Sequence, residues 1–250
     1  MNYPEYLKIN ELLTLQQPKS EEHDEMLFIL IHQTYELWFK QILHELDFLK
    51  QSLVKGNIPK TLHTLKRTLT ILKTLVGQVD ILETMTPMEF KSFRNRLDTA
   101  SGFESAQFRE IEFILGYKRE NLIHIHDEES KQKLLKRLEE PSVWSDFLSL
   151  LATENYKINP NWQIAPSIQD DELESLLIEI YQYNFPLSQV CELLVDLDEG
   201  LQEWRYRHVK MVQRTIGSKM GTGGSSGAEY LTKTLFKPLF PSLWNIRVKL

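Results

Sequence analysis

The chain reads as all-α, a helical bundle with two long helices and no significant sheet. Three observations carry that reading. Apolar residues recur at three- and four-residue steps over helix-length stretches. Strict alternation, the mark of a half-buried strand, is scarce. Four of the ten glycines (Gly221, Gly223, Gly224 and Gly227) fall in one loop, so most of the chain is nearly free of a residue that weakens helices.

The elements follow in order. Tyr3 to Gln16 predicts a short amphipathic helix, stopped near Pro18. Glu22 to Lys55 predicts a long helix. Ser20, Glu22 and Asp24 open it with the acid that a helix N-terminus favours, and Gly56-Asn57 ends it. Pro59 to Glu83 places Leu62, Leu65, Leu69, Leu72 and Leu75 on its buried face, so these two helices read as an antiparallel pair joined by a short turn. Thr86-Pro87 opens a short helix to Leu97, with Pro87 at a favoured first position. Asp98 to Gly102 is a turn, and Glu104 to Leu115 is helical up to Gly116. Ser130 to Leu151 predicts helix broken at Pro141, and Asn155 to Asp170 a loop. Asp171 to Tyr183 is helical, Leu187 to Ile216 is the second long helix, and Ala228 to Phe236 and LWNIRVKL are shorter. The pattern justifies no cut, so residues 1–250 are expected to form a single domain.

Composition narrows the function. The 250 residues are 42% hydrophobic and 26% charged, enough to bury a real core. A net charge of −6 without a basic block argues against nucleic-acid binding. The one cysteine, Cys191, rules out an intrachain disulfide and fits a reducing cytoplasm. The N-terminus lacks signal-peptide order, and no apolar run approaches the ~20 residues of a membrane span.

Trp204 to Tyr230 organises the rest. Trp204, His208, Met211 and Thr215 share one helix face, Gly217 stops the helix, and the glycine loop follows. A histidine on a rigid helix before a loop of small residues suits a cofactor, although a lone helical histidine is more often a hydrogen-bonded core residue. His32 lies in LFILIHQTYELWFK, four residues after Phe28, and reads equally as core or as pocket lining. His124, His126 and Asp127 have the look of a metal cluster, but their acidic neighbours favour a solvated surface. The glycine loop fails the dinucleotide pattern at Ser226 and follows a helix, and no GK[ST] occurs. Its hydroxyls, Thr222 among them, suit a small zwitterion or anion. Phe90 and Arg94 share a face and fit an aromatic acid, with a water-exposed helix as the plainer reading.

Four stretches together resemble the tryptophan 2,3-dioxygenases: Y-x-x-YL at Tyr3 to Leu7, HDEMLFI-x-x-HQ-x-x-ELW-x-K from His23 to Lys40, SGF-x-S-x-QFR from Ser101 to Arg109, and WR-x-RHV-x-MVQR-x-IG-x-K-x-GTGGSSG-x-x-YL from Trp204 to Leu231. The resemblance implies a bundle enclosing a b-type haem, one per subunit, in a cytoplasmic homotetramer that uses O2 to open the indole ring of L-tryptophan, giving N-formyl-L-kynurenine. It implies His208 as axial iron ligand, with Trp204 and Arg109 at the haem propionates. It implies His32 at the indole N–H, Phe28 and Phe90 as pocket walls, Arg94 on the carboxylate, and Thr222 on the ammonium or carboxylate end. Tyr3, Tyr6 and Leu7 would complete a neighbouring subunit's pocket. Competing readings are a related haem-dependent aromatic or indole monooxygenase, a haem sensor without catalysis, and a helical interaction module. From about Ser130 to Tyr183 the resemblance is weakest.

Overall fold

The computed structural model describes residues 1–98, 100–164, 170–221 and 228–250. Thirteen α-helices occur among them: α1 (Tyr3–Leu7), α2 (Ile9–Leu12), α3 (His23–Val54), α4 (Ile58–Leu82), α5 (Pro87–Arg94), α6 (Ala106–Ile114), α7 (Glu128–Glu139), α8 (Val143–Thr153), α9 (Asn161–Ile164), α10 (Asp171–Tyr183), α11 (Phe185–Ile216), α12 (Ala228–Thr232) and α13 (Pro241–Asn245). Short 3₁₀ turns cover Gly102–Glu104, Glu120–Ile125 and Ile246–Val248, and no strand occurs among the described residues.

Two helices of 32 residues each, α3 and α11, set the length of the bundle, at 1.5 Å per residue about 48 Å. Helix α4 packs along both. The α3–α4 turn is tight because Gly56 takes a left-handed φ of 66°, and a Cβ there would come within 3.1 Å of Thr153 Oγ1. The α3 face buries Ile31, Tyr35, Phe39, Ile42, Leu46, Leu49 and Leu53, and α11 answers with Leu187, Val190, Leu194, Leu197, Leu201 and Trp204.

Four local outcomes refine the sequence reading. The expected helix from Tyr3 to Gln16 is split at Lys8, which takes a φ of 54°. A capping box between Asn2 and Glu5 starts α1, but neither α1 nor α2 buries a residue, and helices this short need packing to persist. Pro141 does break the next predicted helix, into α7 and α8. Within the expected 155–170 loop lies α9, whose Trp162 is buried. Trp144 Nε1 donates to Trp162 O at 3.0 Å and Ser145 Oγ to Gln163 O at 3.0 Å, fastening that stretch to the almost wholly buried α8.

The C-terminal segment is held by Asp198, which has no exposed surface. Its Oδ2 accepts from Leu239 N (2.7 Å), Phe240 N (3.1 Å) and Trp244 Nε1 (2.9 Å), and its Oδ1 accepts from Gln202 Nε2 (2.8 Å). A buried carboxylate surrounded by donors fixes α13 against the middle of α11, upstream of His208.

Candidate functional site

Where α3, α5, α6 and α11 meet, they line a cavity that is partly open to solvent. Both singled-out histidines line it. His208 is half-buried, and it lines this cavity. Burial foremost, and then the charge of His32, push its pKa down to about 4. The ring is therefore neutral near pH 7 and has a lone pair to offer. Trp204, one turn earlier on the same face, stacks on it with ring centroids 5.2 Å apart and planes 18° from parallel. Phe108 (4.8 Å), Phe39 (6.1 Å) and Tyr35 (6.3 Å) enclose the indole in turn. Its buried N–H makes no hydrogen bond of normal geometry among the described residues; the Tyr35 phenol oxygen, whose own proton goes to Leu75 O at 2.8 Å, lies beside it as an acceptor.

His32 faces the same space from α3. Its Nδ1 lies 2.7 Å from Phe28 O. A carbonyl can only accept, so Nδ1 carries the proton and Nε2 is left as an acceptor. Burial lowers the pKa of this ring too, against the opposing pull of the Phe28 bond and the Glu36 charge. Phe28 packs 4.1 Å from the imidazole, and Phe28, Phe90 and Phe93 form an aromatic cluster with centroids 5.5–5.9 Å apart. The Thr86–Glu89 capping box fixes the start of α5. That sets Phe90 one turn before Arg94, which donates to Met220 O at 2.5 Å, at the entrance to the glycine loop.

A third group gathers on the α6 and α11 side. Glu112 is 1% exposed and accepts from Arg119 (2.7 Å), Arg205 (3.0 Å) and Arg109. Along the whole cavity wall, four arginines (Arg94 and these three) stand against two carboxylates, Glu36 and Glu112.

The structure thus brings Phe28, His32, Phe90, Arg94, Arg109, Trp204 and His208 to one cavity. Tyr3 and Tyr6 are instead more than 70% exposed and, with Leu7, lie away from its wall. Thr222 lies outside the described residues. No group of three potential metal-ligating side chains occurs among the described residues. His124 is exposed and Asp127 caps α7, as a solvated stretch should. His126 differs: it is buried, and burial and the Arg109 charge keep its pKa low. Sequence reasoning missed Glu112, Arg119 and Arg205. Arg205 lies three residues before His208 and Glu112 three after Arg109, spacings that placed them on functional faces. Arg119, in a segment without periodicity, gave no such signal. No helix among the described residues is long and apolar enough to cross a membrane.

Comparison with known sequences adds the following. A family described as tryptophan 2,3-dioxygenase matches residues 1–155 and 169–250. A tryptophan 2,3-dioxygenase of Herpetosiphon aurantiacus is 54% identical over 100% of this chain and 98% of its own. Relatives of the same name from Anaeromyxobacter sp. strain K and Bacillus thuringiensis are 49% and 42% identical, covering 99% and 100% of this chain and 95% and 93% of their own.

Proposed function

Because the chain belongs to the tryptophan 2,3-dioxygenase family, we propose that it inserts both atoms of O2 across the indole C2–C3 bond of L-tryptophan, giving N-formyl-L-kynurenine. The cofactor is haem b, one per subunit, and the residues present fit it. His208 is a neutral imidazole lining the cavity and would hold the iron. The arginine-rich part of the wall suits propionates, with Arg109 among the donors that would hold them. The buried, unsatisfied N–H of Trp204 is a further donor for such a group. When bound, haem supplies a redox-active iron able to activate dioxygen.

The chain's own work is positioning, which contributes ~7–11 kcal/mol in favourable cases. His32 Nε2, an acceptor because Nδ1–H is committed to Phe28 O, takes the indole N–H and fixes the ring's orientation. Phe28 and Phe90 wall the indole. Arg94 takes the carboxylate. A guanidinium has five N–H donors, so it can do this while keeping its bond to Met220 O. Thr222 takes the ammonium or carboxylate end. The exposed Tyr3, Tyr6 and Leu7 support a homotetramer in which each N-terminus completes a neighbour's pocket. The lone, buried Cys191 suits a cytoplasmic setting.

The observation that carries this reading is the pairing, across one cavity, of a neutral His208 with a His32 whose free nitrogen is an acceptor. The test is to add L-tryptophan to reduced, aerated, haem-loaded protein. Formylkynurenine absorbance should appear, with two labelled oxygen atoms in the product under ¹⁸O2. Incorporation of one atom would make the protein a monooxygenase. An unchanged haem spectrum and no product would leave a sensor.

A further inference from the structure

We propose that Glu25 and Gln33, both on α3, are positioning residues that fasten the root of the N-terminal arm, residues 1–14, and so aim it at the substrate pocket of a neighbouring subunit. This rests on the shared-pocket reading above and assigns the fastening, which that reading leaves open, to two side chains. Glu25 is 2% exposed. Its Oε1 accepts from Lys19 N (2.8 Å), and its Oε2 accepts from Ser20 N (2.8 Å) and Ser20 Oγ (2.5 Å). About two turns further along α3, Gln33 Nε2 donates to Leu15 O (3.2 Å) and Gln33 Oε1 accepts from Gln16 Nε2 (2.7 Å). Gln16 Nε2 also donates to Leu12 O (3.1 Å), at the end of α2. Both ends of the strap 15–20 are therefore bonded to α3, and Pro18 between them stiffens it by fixing φ.

The arm beyond the strap has the opposite character. Helices α1 and α2 bury no residue, and Tyr3, Tyr6, Leu7 and Leu13 are 42–73% exposed. Helices of five and four residues persist only when something packs on them. Phenols and leucines left in water on a segment that is itself fastened suit an aromatic-lined site on a second copy of the chain. Without the strap, docking would have to order every residue up to the start of α3. With it, the loss of chain entropy falls on the arm alone. The exposed Lys19–Asp98 pair, at 3.7 Å, adds little, so the two α3 side chains carry the fastening. Gln33 directly follows His32, which puts the exit of the arm at the level of the cavity wall along α3.

The test compares the full-length, haem-loaded protein with Glu25→Ala, Glu25→Gln and Gln33→Ala. Hydrogen–deuterium exchange of residues 1–14 is followed beside KM and kcat for L-tryptophan and the Soret spectrum. In wild type the arm amides should be protected by the neighbouring subunit. Glu25→Ala and Gln33→Ala should each speed their exchange and raise KM about fivefold, as expected for lost hydrogen bonds, with kcat changed less and the Soret spectrum unchanged. Glu25→Gln keeps one accepting oxygen and should fall between wild type and Glu25→Ala. If Glu25→Ala does not fold, Gln33→Ala and Glu25→Gln decide. Arm protection and KM left at wild-type values in those two variants overturn the fastening and leave the shared pocket standing. A wild-type arm that exchanges as fast as a free peptide of residues 1–14 overturns both.

Discussion

The two walls of the cavity are built on different terms. On the His208 side, Trp204, Arg205, Arg109 and Glu112 are all buried, and their partners come from the same chain. On the His32 side, Phe28 and Phe90 are only partly buried, and Arg94 ends the short helix α5 with its guanidinium on the carbonyl of Met220, itself 63% exposed. The first wall is fixed by packing before a ligand arrives. The second keeps its polar groups near the mouth, where a small polar substrate can reach them. Changes to the first wall should therefore act on cofactor retention and stability, and changes to the second on substrate binding and turnover.

The sharpest way to break this contrast is to compare the two histidines. His208→Ala should lose haem and turnover together. His32→Ala should keep its haem while turnover falls about ten- to a hundredfold, the effect of an orienting hydrogen bond. Equal loss of bound haem in both variants, measured by pyridine haemochrome assay, would erase the distinction between the walls. Next in size is Asp198→Ala, which strips the acceptor from three donors at the C-terminal segment. Urea unfolding should show a loss of about 3 kcal/mol, as expected for stranded buried donors.

Acid should charge the His208 ring. Its pKa is about 4 in the folded chain against an ordinary 6.5. Between those values the unfolded chain binds the extra proton, so stability falls as pH drops through that window. His32 and His126 shift in the same direction. Asp146 opposes them: burial raises its pKa from 3.8 to about 6, so the folded chain takes up that proton first and gains stability over the lower part of the window. The clean measurement is the difference between wild type and His208→Gln, both without haem, because Asp146 is common to the two. The variant should lose less stability between pH 6.5 and 4.

On the other wall, Arg94→Lys should raise KM for L-tryptophan about tenfold, since a lysine cannot reproduce a planar two-donor fork. The Soret spectrum should stay unchanged; a shifted spectrum would place Arg94 with the cofactor wall instead. Smallest of all, Tyr3→Ala should change the stability of the chain by no more than about 0.5 kcal/mol, the usual range for an exposed side chain. An effect that grows on dilution would reveal its contact with a second subunit.

Helix positions were legible because a buried face repeats every three or four residues, and the breaks at Gly56, Pro141 and Gly217 are written as backbone chemistry. His208 and His32 stood out for the same reason: each sits on a strongly periodic helix beside aromatic residues at turn spacing. The sequence could not say that α1 would stop at Lys8, because a short helix keeps its length only if something packs on it. Nor could it bring Arg119 and Arg205 to one carboxylate. An ion pair spanning 93 positions leaves no period in the chain; it exists only once α6 and α11 have packed and their charged side chains share a space closed to water. Local periodicity determined the helices and two candidate site histidines, and tertiary packing decided which charges meet, since charges far apart in sequence interact strongly only where folding removes the solvent between them.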